Sequence, residues 1–267
     1  MYADLHLHTN LSDGTLSPSR LISLARRRGI GCISITDHDS VAAYLSDMPR
    51  EDMEIIPGIE LTADNNNSEL HLLGYFIDYG AGWFQEKLKD ICLCRIARMK
   101  EMCKKLTRMG MVLDYEEVSE LAGHSCVGRL HLARVMAKKG YAGNVREAFD
   151  KYIGDGKPAY ISRFRLNPQE AIALILKARG IPVLAHPYSL VQQDLIPELA
   201  KSGLMGLEAL YPEHSPSQVK HYQQLAKELG LLITGGSDYH GEAKPQRRIG
   251  AVKISYDLVA RLKESRH

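Results

Sequence analysis

Short apolar runs that end in polar side chains recur along most of this chain. In the first run, Leu5 and Leu7 alternate with Asp4, His6 and His8, so an extended strand would place the leucines on one face and the polar side chains on the other. Further apolar runs cover 31–36, 54–59, 181–185, 204–207 and 231–234. Each is predicted to be a strand. The polar residues that follow them are Asp37-His38-Asp39, Glu60, His186, Glu208 and Asp238-Tyr239-His240.

Helical patterns separate several of these strands. They cover 18–28, 167–179, 194–202 and 215–229, and the first has Ser17 as a suitable N-cap with Pro18 in its first turn. Strands that alternate with helices, with polar residues just past the strand ends, are typical of a parallel α/β barrel with its active site at the C-terminal rim. A doubly wound open sheet is the competing architecture.

Residues 83–159 interrupt this alternation. A long helical pattern covers 87–109, and shorter ones cover 115–122, 128–139 and 145–152. Glycine-containing turns at 80–82 and 154–156 bracket the segment, which adds no predicted strand. We therefore expect a barrel formed by residues 1–82 and 160–267, with residues 83–159 as a helical insertion that caps the metal end.

Composition limits the classes of partner. The 267 residues are 45% hydrophobic, and 34 basic residues face 32 acidic ones, giving a formal net charge of +2. A near-neutral chain gives no reason to expect binding to duplex nucleic acid or to an anionic membrane. The sequence shows no signal peptide or membrane span, and its five cysteines have no CxxC spacing. We expect a globular cytoplasmic protein with reduced thiols.

The residues at the predicted strand ends suit divalent metals. His6 and His8 would point the same way from one strand, and burying two imidazoles side by side is costly unless something binds their nitrogens. Mixed imidazole and carboxylate ligands suit zinc, iron or manganese, and two or three ions could share such a set. Clustered metals polarise a phosphoryl or carbonyl oxygen and produce hydroxide near neutral pH, which predicts hydrolysis. The nine candidate ligands are His6, His8, Asp13, His38, Glu60, His71, His186, Asp238 and His240.

Other carboxylates near these positions receive supporting roles. Asp4, Asp37 and Asp39 are expected to accept a hydrogen bond from a ligating imidazole or to cap turns. Glu208 is expected to lie inside the barrel, and the sequence assigns it no role.

Six motifs carry a family resemblance. In order along the chain they are DLHLHTNLSDG, ITDHDS, PGIELT, ELHLLGY, LAHPY and GGSDYH. Together they resemble the polymerase and histidinol phosphatase (PHP) family of metal-dependent phosphoesterases. The resemblance implies a distorted seven-stranded (β/α) barrel with a trinuclear cluster. It further implies three ligand sets, which are His6, His8, Glu60 and Asp238; Glu60, His71 and His186; and Asp13, His38 and His240.

The helical insertion after ELHLLGY is similar to that of stand-alone nucleotide phosphoesterases in this family. These include a 3',5'-bisphosphate nucleotidase that acts on phosphoadenosine phosphate and a 5'-to-3' exoribonuclease. The resemblance therefore implies a phosphoric ester hydrolase in which metal-bound hydroxide attacks the phosphorus of a small nucleotide, releasing AMP and phosphate. Alternatives are exonucleolytic cleavage of short RNA and hydrolysis of histidinol phosphate. An amidohydrolase-type barrel and a non-catalytic metal-binding module are further alternatives.

Substrate recognition is expected to come partly from the insertion. Arg95 and Arg98 lie three residues apart on the long helix, and Arg129 and His131 lie in the first turn of another. Guanidinium groups and a helix N-terminus both bind phosphate oxygens. Asp13, His38 and His240 are expected to contact substrate as well, and Asp13 or His240 is expected to handle the proton of the leaving group. Weaker candidates for substrate contact are Arg134, Lys157 and Arg163.

The predicted ligands are a small nucleotide or short single-stranded RNA, together with three divalent ions of manganese, iron or zinc. The sequence leaves the native metal, the exact substrate and the oligomeric state open.

Overall fold

The computed structural model describes residues 1–49, 53–65, 68–123, 126–161, 166–190, 192–252 and 254–266. Within these residues, eight strands form one sheet with the order β7-β6-β5-β4-β3-β2-β1-β8. The strands are β1 (Tyr2–Leu7), β2 (Ile30–Ile35), β3 (Glu54–Asn65), β4 (Ser68–Tyr75), β5 (Ile181–Leu184), β6 (Gly206–Leu210), β7 (Leu232–Gly235) and β8 (Ile254–Ser255).

The sheet curls until its two ends meet, which excludes the open doubly wound sheet. Leu7 at the end of β1 forms a parallel bridge with Tyr239, which follows β7, and the His8 N–H donates to the Tyr239 carbonyl at 3.0 Å. Gly236 makes this approach possible, because a Cβ atom there would lie 2.4 Å from the Cβ of His6. The predicted α/β barrel is therefore confirmed.

Strand direction departs from the all-parallel prediction in one region. β4 runs antiparallel to both β3 and β5, and the two-residue β8 pairs antiparallel with β1. The other neighbouring strands are parallel. A short connection between β3 and β4 leaves no room for a crossover helix, so these two strands form a hairpin. The barrel is thus distorted where β4 reverses.

Ten α-helices are present in the described part of the chain. They are α1 (Pro18–Arg27), α2 (Ala42–Leu45), α3 (Gly82–Arg108), α4 (Tyr115–Ala122), α5 (Arg129–Lys138), α6 (Val145–Ala148), α7 (Pro168–Lys177), α8 (Leu195–Lys201), α9 (Pro216–Glu228) and α10 (Tyr256–Glu264). A single π-helical turn, Phe149–Ile153, continues α6. None of the described helices is both long and apolar enough to cross a bilayer.

Local capping explains where several barrel helices begin. Ser17, Asn167 and Ser215 each accept a hydrogen bond from a backbone N–H of the first turn of α1, α7 and α9, and each is followed by proline. Proline suits the first helical position because its missing N–H would have no partner there. The Ser17 cap with Pro18 confirms the predicted start of α1, and α7 and α9 begin in the same way.

The apolar core has separate parts in the barrel and in the helices α3–α6. Phe84 and Leu88, near the start of α3, pack with the barrel core. Met102 and Leu106, further along the same helix, pack with residues of α4, α5 and the π-helical turn. Because α3 contributes to both cores, it anchors the helical segment to the barrel. The exact division of the chain at residues 83 and 159 remains a prediction.

Some element bounds differ from the predicted ones. β3 continues to Asn65 and β6 to Leu210, so Glu60 and Glu208 lie inside strands and not beyond their ends. The predicted helix over 145–152 is one α-helical turn followed by the π-helical turn. β8 and α10 were not predicted.

Candidate metal centre

The nine predicted ligands converge at one end of the barrel. His6 and His71 lie on β1 and β4, Glu60 lies on β3, and the others follow strand ends. All nine are buried or half-buried. Leu5 and Leu7 lie in separate apolar clusters and do not share one face as regular alternation predicts, because the pairing of β1 with β2 shifts register between Asp4 and Leu7. The rings of His6 and His8 still lie side by side, with their centres 5.2 Å apart.

Glu60 is the centre of the cluster. Its Oε2 lies 3.2 Å from His6 Nε2, 3.1 Å from His8 Nε2 and 3.3 Å from His38 Nδ1. Its Oε1 lies 2.9 Å from His71 Nδ1 and 3.2 Å from His186 Nε2. One carboxylate therefore contacts five imidazoles, and this is the geometry expected of a carboxylate shared between neighbouring cations.

The first group of donor atoms matches the expected set of His6, His8, Glu60 and Asp238. Their ligand atoms all lie within 4.8 Å of one another. Asp238 Oδ1 lies 3.5 Å from His6 Nε2 and 3.2 Å from His8 Nε2. Two nitrogens and two oxygens thus surround one position.

The second group consists of His8, Asp13, His38 and His240. Asp13 Oδ1 lies 3.2 Å from His240 Nε2 and 3.5 Å from His8 Nδ1, and its Oδ2 lies 3.8 Å from His38 Nε2. The expected set was Asp13, His38 and His240, so the structure adds His8 to it.

The third group differs more from its expected membership. The compact donor set is His38, Glu60 and His71. His186, which the resemblance assigns to this group in place of His38, also lies close, since its Nε2 is 3.3 Å from His71 Nδ1. The structure therefore brings all the expected donors together but leaves two candidates, His38 and His186, for the second nitrogen ligand of this group.

Donor atoms left without hydrogen bonds test whether the cluster suits cations. Among the described residues, these buried atoms have no hydrogen-bond partner: His6 Nε2, His8 Nδ1, His8 Nε2, His38 Nδ1, Glu60 Oε2, Asp238 Oδ1 and His240 Nε2. Buried polar atoms without partners are rare and cost free energy, because they have lost their contacts with water. Divalent cations would satisfy all of them, so the residues fit the metals.

Partners on the other ring nitrogens orient several of the imidazoles, His6 and His240 among them. His6 Nδ1 lies 2.8 Å from Glu208 Oε1 and donates to it, and His240 Nδ1 donates to the Asp238 carbonyl at 2.8 Å. In each ring the Nε2 lone pair then faces the cluster. Glu208 also accepts the backbone N–H of His186 through Oε2 at 2.8 Å, so this buried carboxylate positions two candidate ligands.

The three carboxylates assigned supporting roles hold loops. Asp4 accepts the N–H groups of Ser237 and Gly250, at 2.8 and 3.0 Å. Asp37 accepts from Thr9 and from Ser12. Asp39 accepts the Thr62 N–H and pairs with Arg95. They therefore act as turn caps, and the carboxylates that contact an imidazole on the side away from the cluster are Glu208, beside His6, and Glu69, beside His71.

Two candidate ligands have backbone conformations that are rare for their residue types. His186 has φ of +28° and Asp238 has φ of +48°. Left-handed conformations outside glycine cost ~1–3 kcal/mol, and Asp tolerates them better than His. The Glu208 hydrogen bond to the His186 N–H helps hold the less favourable of the two.

Burial and neighbouring charges shift the pKa values of the cluster in opposite directions. Burial lowers the pKa of His6, but Glu208 and Glu60 outweigh it and raise the value to about 10. Burial lowers the pKa of His186 to about 4. Burial raises the pKa of Asp13, yet the imidazoles of His240 and His38 hold it well below its usual range. Without metals, protons would partly compensate the carboxylates, and cations would displace them.

Asp238 also contacts a second group of residues that the sequence analysis missed. Its Oδ2 accepts from Arg247 and, at 2.8 Å, from the Tyr211 hydroxyl, and it lies 3.5 Å from Lys244 Nζ. Arg247 further donates to Glu213 at 2.9 Å and lies over the Tyr211 ring. The sequence offered only a basic stretch after the last motif as a signal.

The arginines predicted to bind substrate are buried and ion-paired. Arg95 Nε lies 3.0 Å from Asp39 Oδ2. Glu69 lies between the other two, 3.6 Å from Arg98 Nη1 and 2.9 Å from Arg129 Nη2. Within the described residues, the Nη2 of Arg98 is buried and has no hydrogen-bond partner. The predicted residues therefore lie together, and Glu69 joins them to His71, whose Nε2 is 3.1 Å away.

The remaining predicted contacts have different surroundings. His131 Nδ1 accepts the Gly128 N–H at 3.0 Å and so closes the start of α5, which leaves Nε2 as its donor. Arg134 is half-buried on α5, and Lys157 is exposed. Arg163 lies outside the described residues.

A cavity of about 1290 Å³ joins these elements. Its walls include Asp13, His38 and His71 from the cluster, the three arginines, and Lys244 and Arg247 from the loop after β7. Drug-sized ligands occupy pockets of ~300–1,000 Å³, so this cavity is larger than such a ligand requires.

Comparison with known proteins identifies a family and relatives of this chain. Residues 4–153 match the model of the PHP domain. A 3',5'-nucleoside bisphosphate phosphatase from Chromobacterium violaceum is 28% identical over 92% of this chain and 90% of its own length. The 5'-3' exoribonuclease Rnm of Salmonella typhimurium is 30% identical, over 89% of this chain and 84% of its own.

Solved structures with a similar fold cover nearly the whole chain. A Bifidobacterium adolescentis protein, provisionally described as a metal-dependent phosphoesterase, superposes with a TM-score of 0.86 at 26% identity over 97% of this chain and 94% of that one. A Chromobacterium violaceum protein described as an amidohydrolase, with bound sulfate and no metal, has a TM-score of 0.84 at 26% identity, over 97% and 96% of the two chains.

Proposed function

Because the chain belongs to the PHP family and is a metal-dependent phosphoesterase, we propose that it removes a phosphate group from a small nucleotide that carries two. The substrate class is a 3',5'-bisphosphate such as phosphoadenosine phosphate, and the products are AMP and phosphate. One observation carries the proposal. Three candidate metal ligands, Asp13, His38 and His71, line the same cavity as Arg95, Arg98 and Arg129, so one phosphate can lie over the metals while another lies among the guanidinium groups.

The proposed metal sites use the nine clustered residues. His6, His8, Glu60 and Asp238 would hold one ion, Asp13, His38 and His240 a second, and Glu60 and His71 a third with His186 or His38. Manganese, iron and zinc suit these donors. When bound, such ions polarise a phosphoryl oxygen and lower the pKa of water, which is the chemistry that ester hydrolysis requires.

The arginines would bind the phosphate that is not cleaved. Arg98 has a buried Nη2 without a hydrogen-bond partner among the described residues, and Arg129 lies beside it with Glu69 as a shared carboxylate. The carboxylate fixes both side chains before substrate binds, which lowers the entropic cost of recognition. Arg95 extends the same wall, whereas the predicted contact His131 is buried and does not line the cavity. His38 and Asp13 line the cavity at the boundary between this wall and the metal cluster.

In the reaction, an oxygen from water bonds to phosphorus, the ester P–O bond breaks, and the leaving oxygen takes a proton. Asp13 and His240 are the residues proposed to handle that proton. Asp13 lines the cavity, whereas His240 is fully buried behind it at 3.2 Å. Asp13 is therefore the one proposed to take the proton that the attacking water loses and to pass it to the leaving oxygen, and His240 holds Asp13 in place.

A substrate panel tests the proposal. The manganese-loaded protein would be assayed for phosphate release from phosphoadenosine phosphate, histidinol phosphate and 5'-phosphorylated RNA, with an ester and an amide series as controls. We expect the bisphosphate to be preferred. Turnover of histidinol phosphate alone would contradict the role given to the arginines. Turnover of the amides alone would indicate amidohydrolase chemistry, as the description of one structural neighbour suggests.

A second candidate is exonucleolytic cleavage of short RNA. Two observations favour it, namely relatives that are named 5'-3' exoribonucleases and a cavity whose volume exceeds the ~300–1,000 Å³ of pockets for drug-sized ligands. In this case the 5'-phosphate would occupy the arginine wall and the first phosphodiester would lie over the metals. The RNA arm of the panel distinguishes the two candidates, because only an exonuclease releases mononucleotides from it.

A further inference from the structure

Lys244 and Arg247 form a cationic wall of the cavity that the proposed function leaves unused. Both follow β7 and line the same space as the arginines of α3 and α5. The Nζ of Lys244 makes one ion pair within the described part of the chain, at 3.5 Å from Asp238, and its side chain is 25% exposed. The Nε of Arg247 is buried and has no hydrogen-bond partner among the described residues. Each residue therefore retains donor capacity toward a ligand.

The strand order places the two cationic walls across the metal centre from each other. Arg98 and Arg129 reach the cluster through Glu69 on β4. Lys244 and Arg247 reach it through Asp238, after β7. The barrel strands follow one another in the order β7 to β1, and β1 meets β7 where the barrel closes. β4 therefore lies three strands away from both β1 and β7. The candidate metal ligands therefore lie between the walls.

This arrangement suits a substrate with anions on both sides of the bond that breaks. A nucleoside bisphosphate has only one phosphate besides the reacting one, and the arginine wall accounts for it. An oligonucleotide has a further phosphate on the leaving side. From this we propose that Lys244 and Arg247 form an anion subsite that binds the phosphate following the scissile phosphodiester, a proposal that rests on the cleavage of short RNA given above as the second candidate function.

Aromatic and polar residues define this subsite further. Arg247 lies with its guanidinium carbon 5.0 Å from the centre of the Tyr211 ring and donates to Glu213. The Tyr188 hydroxyl also donates to Glu213, and the Tyr188 ring packs against Tyr211. Arg247 is thus held firmly, as Arg129 is by Glu69 and Asp155 on the other wall. Lys244 is the more exposed cation, so it is the better residue to vary.

The test combines a change in the protein with a change in the substrate. The substrates are a 5'-phosphorylated RNA trinucleotide and the same trinucleotide with an uncharged methylphosphonate at its second internucleotide linkage. The proteins are wild type, Lys244→Gln, Lys244→Arg and, as an exposed control on α9, Lys220→Gln, each assayed with its metal content measured.

A lost charge-assisted contact typically changes affinity by about tenfold. We expect Lys244→Gln to lower kcat/KM about tenfold on the natural trinucleotide, mainly through KM. The methylphosphonate should lower kcat/KM of the wild type by a similar factor. The variant should show no additional loss on the neutral substrate, Lys244→Arg should restore the activity, and Lys220→Gln should match wild type.

Several results would overturn the subsite. If the losses caused by Lys244→Gln and by the methylphosphonate multiply when the two changes are combined, the changes act independently. If Lys244→Gln lowers the metal content, Lys244 acts through Asp238. A wild type that cleaves the bisphosphate but not the trinucleotide would also overturn it while leaving the proposed function intact. A wild type that cleaves neither would instead contradict the proposed function.

Discussion

The rim of the barrel and the helical segment α3–α6 differ in how their buried polar groups are satisfied. At the rim, imidazole nitrogens and carboxylate oxygens converge, and many of them lack hydrogen bonds among the described residues. In the helical segment, the buried charges are arginines, and each has a carboxylate partner at Asp39, Glu69 or Asp155. The buried polar groups of the rim are therefore all satisfied only when cations are bound, whereas those of the helical segment are nearly all satisfied without a ligand.

This difference distinguishes the rim, whose residues are expected to support the chemistry, from the helical segment, whose arginines are expected to bind the substrate. A buried donor set without partners is costly to the fold, so it indicates bound metals and the reaction that they support. Ion-paired arginines at the edge of the same cavity cost less and can share their donors with a phosphate. Changes at the rim should therefore abolish turnover, and changes in the helical segment should weaken binding.

The largest expected effect comes from removing a ligand at the rim. Even an outer hydrogen-bond partner of a ligand is typically worth ~10–100-fold in metal affinity or activity, so His8→Ala should reduce kcat by more than about 10³-fold. The measurement is phosphate release at saturating substrate with the metal content of the sample. His221→Ala, exposed on α9, is the control and should keep full activity. Normal turnover by His8→Ala would remove the metal cluster from the account.

The next largest effect is expected from Glu208, the carboxylate that positions two candidate ligands at the rim. Glu208→Gln keeps the shape of the side chain but weakens its hold on His6 and on the backbone of His186, so we expect a loss of ~10–100-fold in metal affinity or activity. Metal titration followed by an activity assay measures both. Glu54→Gln, on β3 beside Lys263, is the matched control. Equal behaviour of the two variants would show that Glu208 has no positioning role.

In the helical segment we expect a smaller effect that acts on binding. Arg98→Ala removes the arginine with the unpartnered Nη2, and KM for the bisphosphate should rise about tenfold with kcat and metal content close to those of wild type. Steady-state kinetics separate the two constants. Arg108→Ala, exposed at the end of the same helix, should change neither. A fall in kcat without a change in KM would place Arg98 in the chemistry instead.

The smallest expected effect comes from an ion pair outside both regions, and it gives a baseline against which the other effects can be compared. Lys263 pairs with Glu54 at 2.6 Å, but its side chain is 40% exposed. Solvent screens such pairs, so Lys263→Ala should change the free energy of unfolding by only ~0–1 kcal/mol and leave turnover unaltered. Urea denaturation measures the first quantity. A larger loss of stability would mean that this pair is a structural element of the barrel.

Much of the architecture could be predicted because apolar strands and capped helices alternate so regularly. Ser17 and Asn167 mark helix starts, and His6, His8 and Asp238 follow from their positions on or after strands. The reversal of β4 could not be predicted in this way, because strand direction depends on a short connection and not on the apolar pattern. The two-residue β8 has too little sequence to carry a pattern.

The parts of the site that were missed depend on tertiary contacts. Glu208 follows the same apolar rule as Glu60, yet only the packed barrel shows that it contacts His6 from the outer side. Lys244 and Arg247 lie in a basic loop, and a charged loop is normally solvated, so nothing local indicated that they reach Asp238. The same holds for Glu69, whose role between Arg98 and His71 depends on the position of α3 over β4.

The most direct test of the account is the number of metal ions retained per chain, measured by mass spectrometry on the same samples that are assayed for phosphate release from phosphoadenosine phosphate. The account predicts three ions in the active wild type, parallel loss of ions and activity in Asp238→Ala, and no activity after chelation until metal returns. Full phosphate release by a chain stripped of its metals would contradict it.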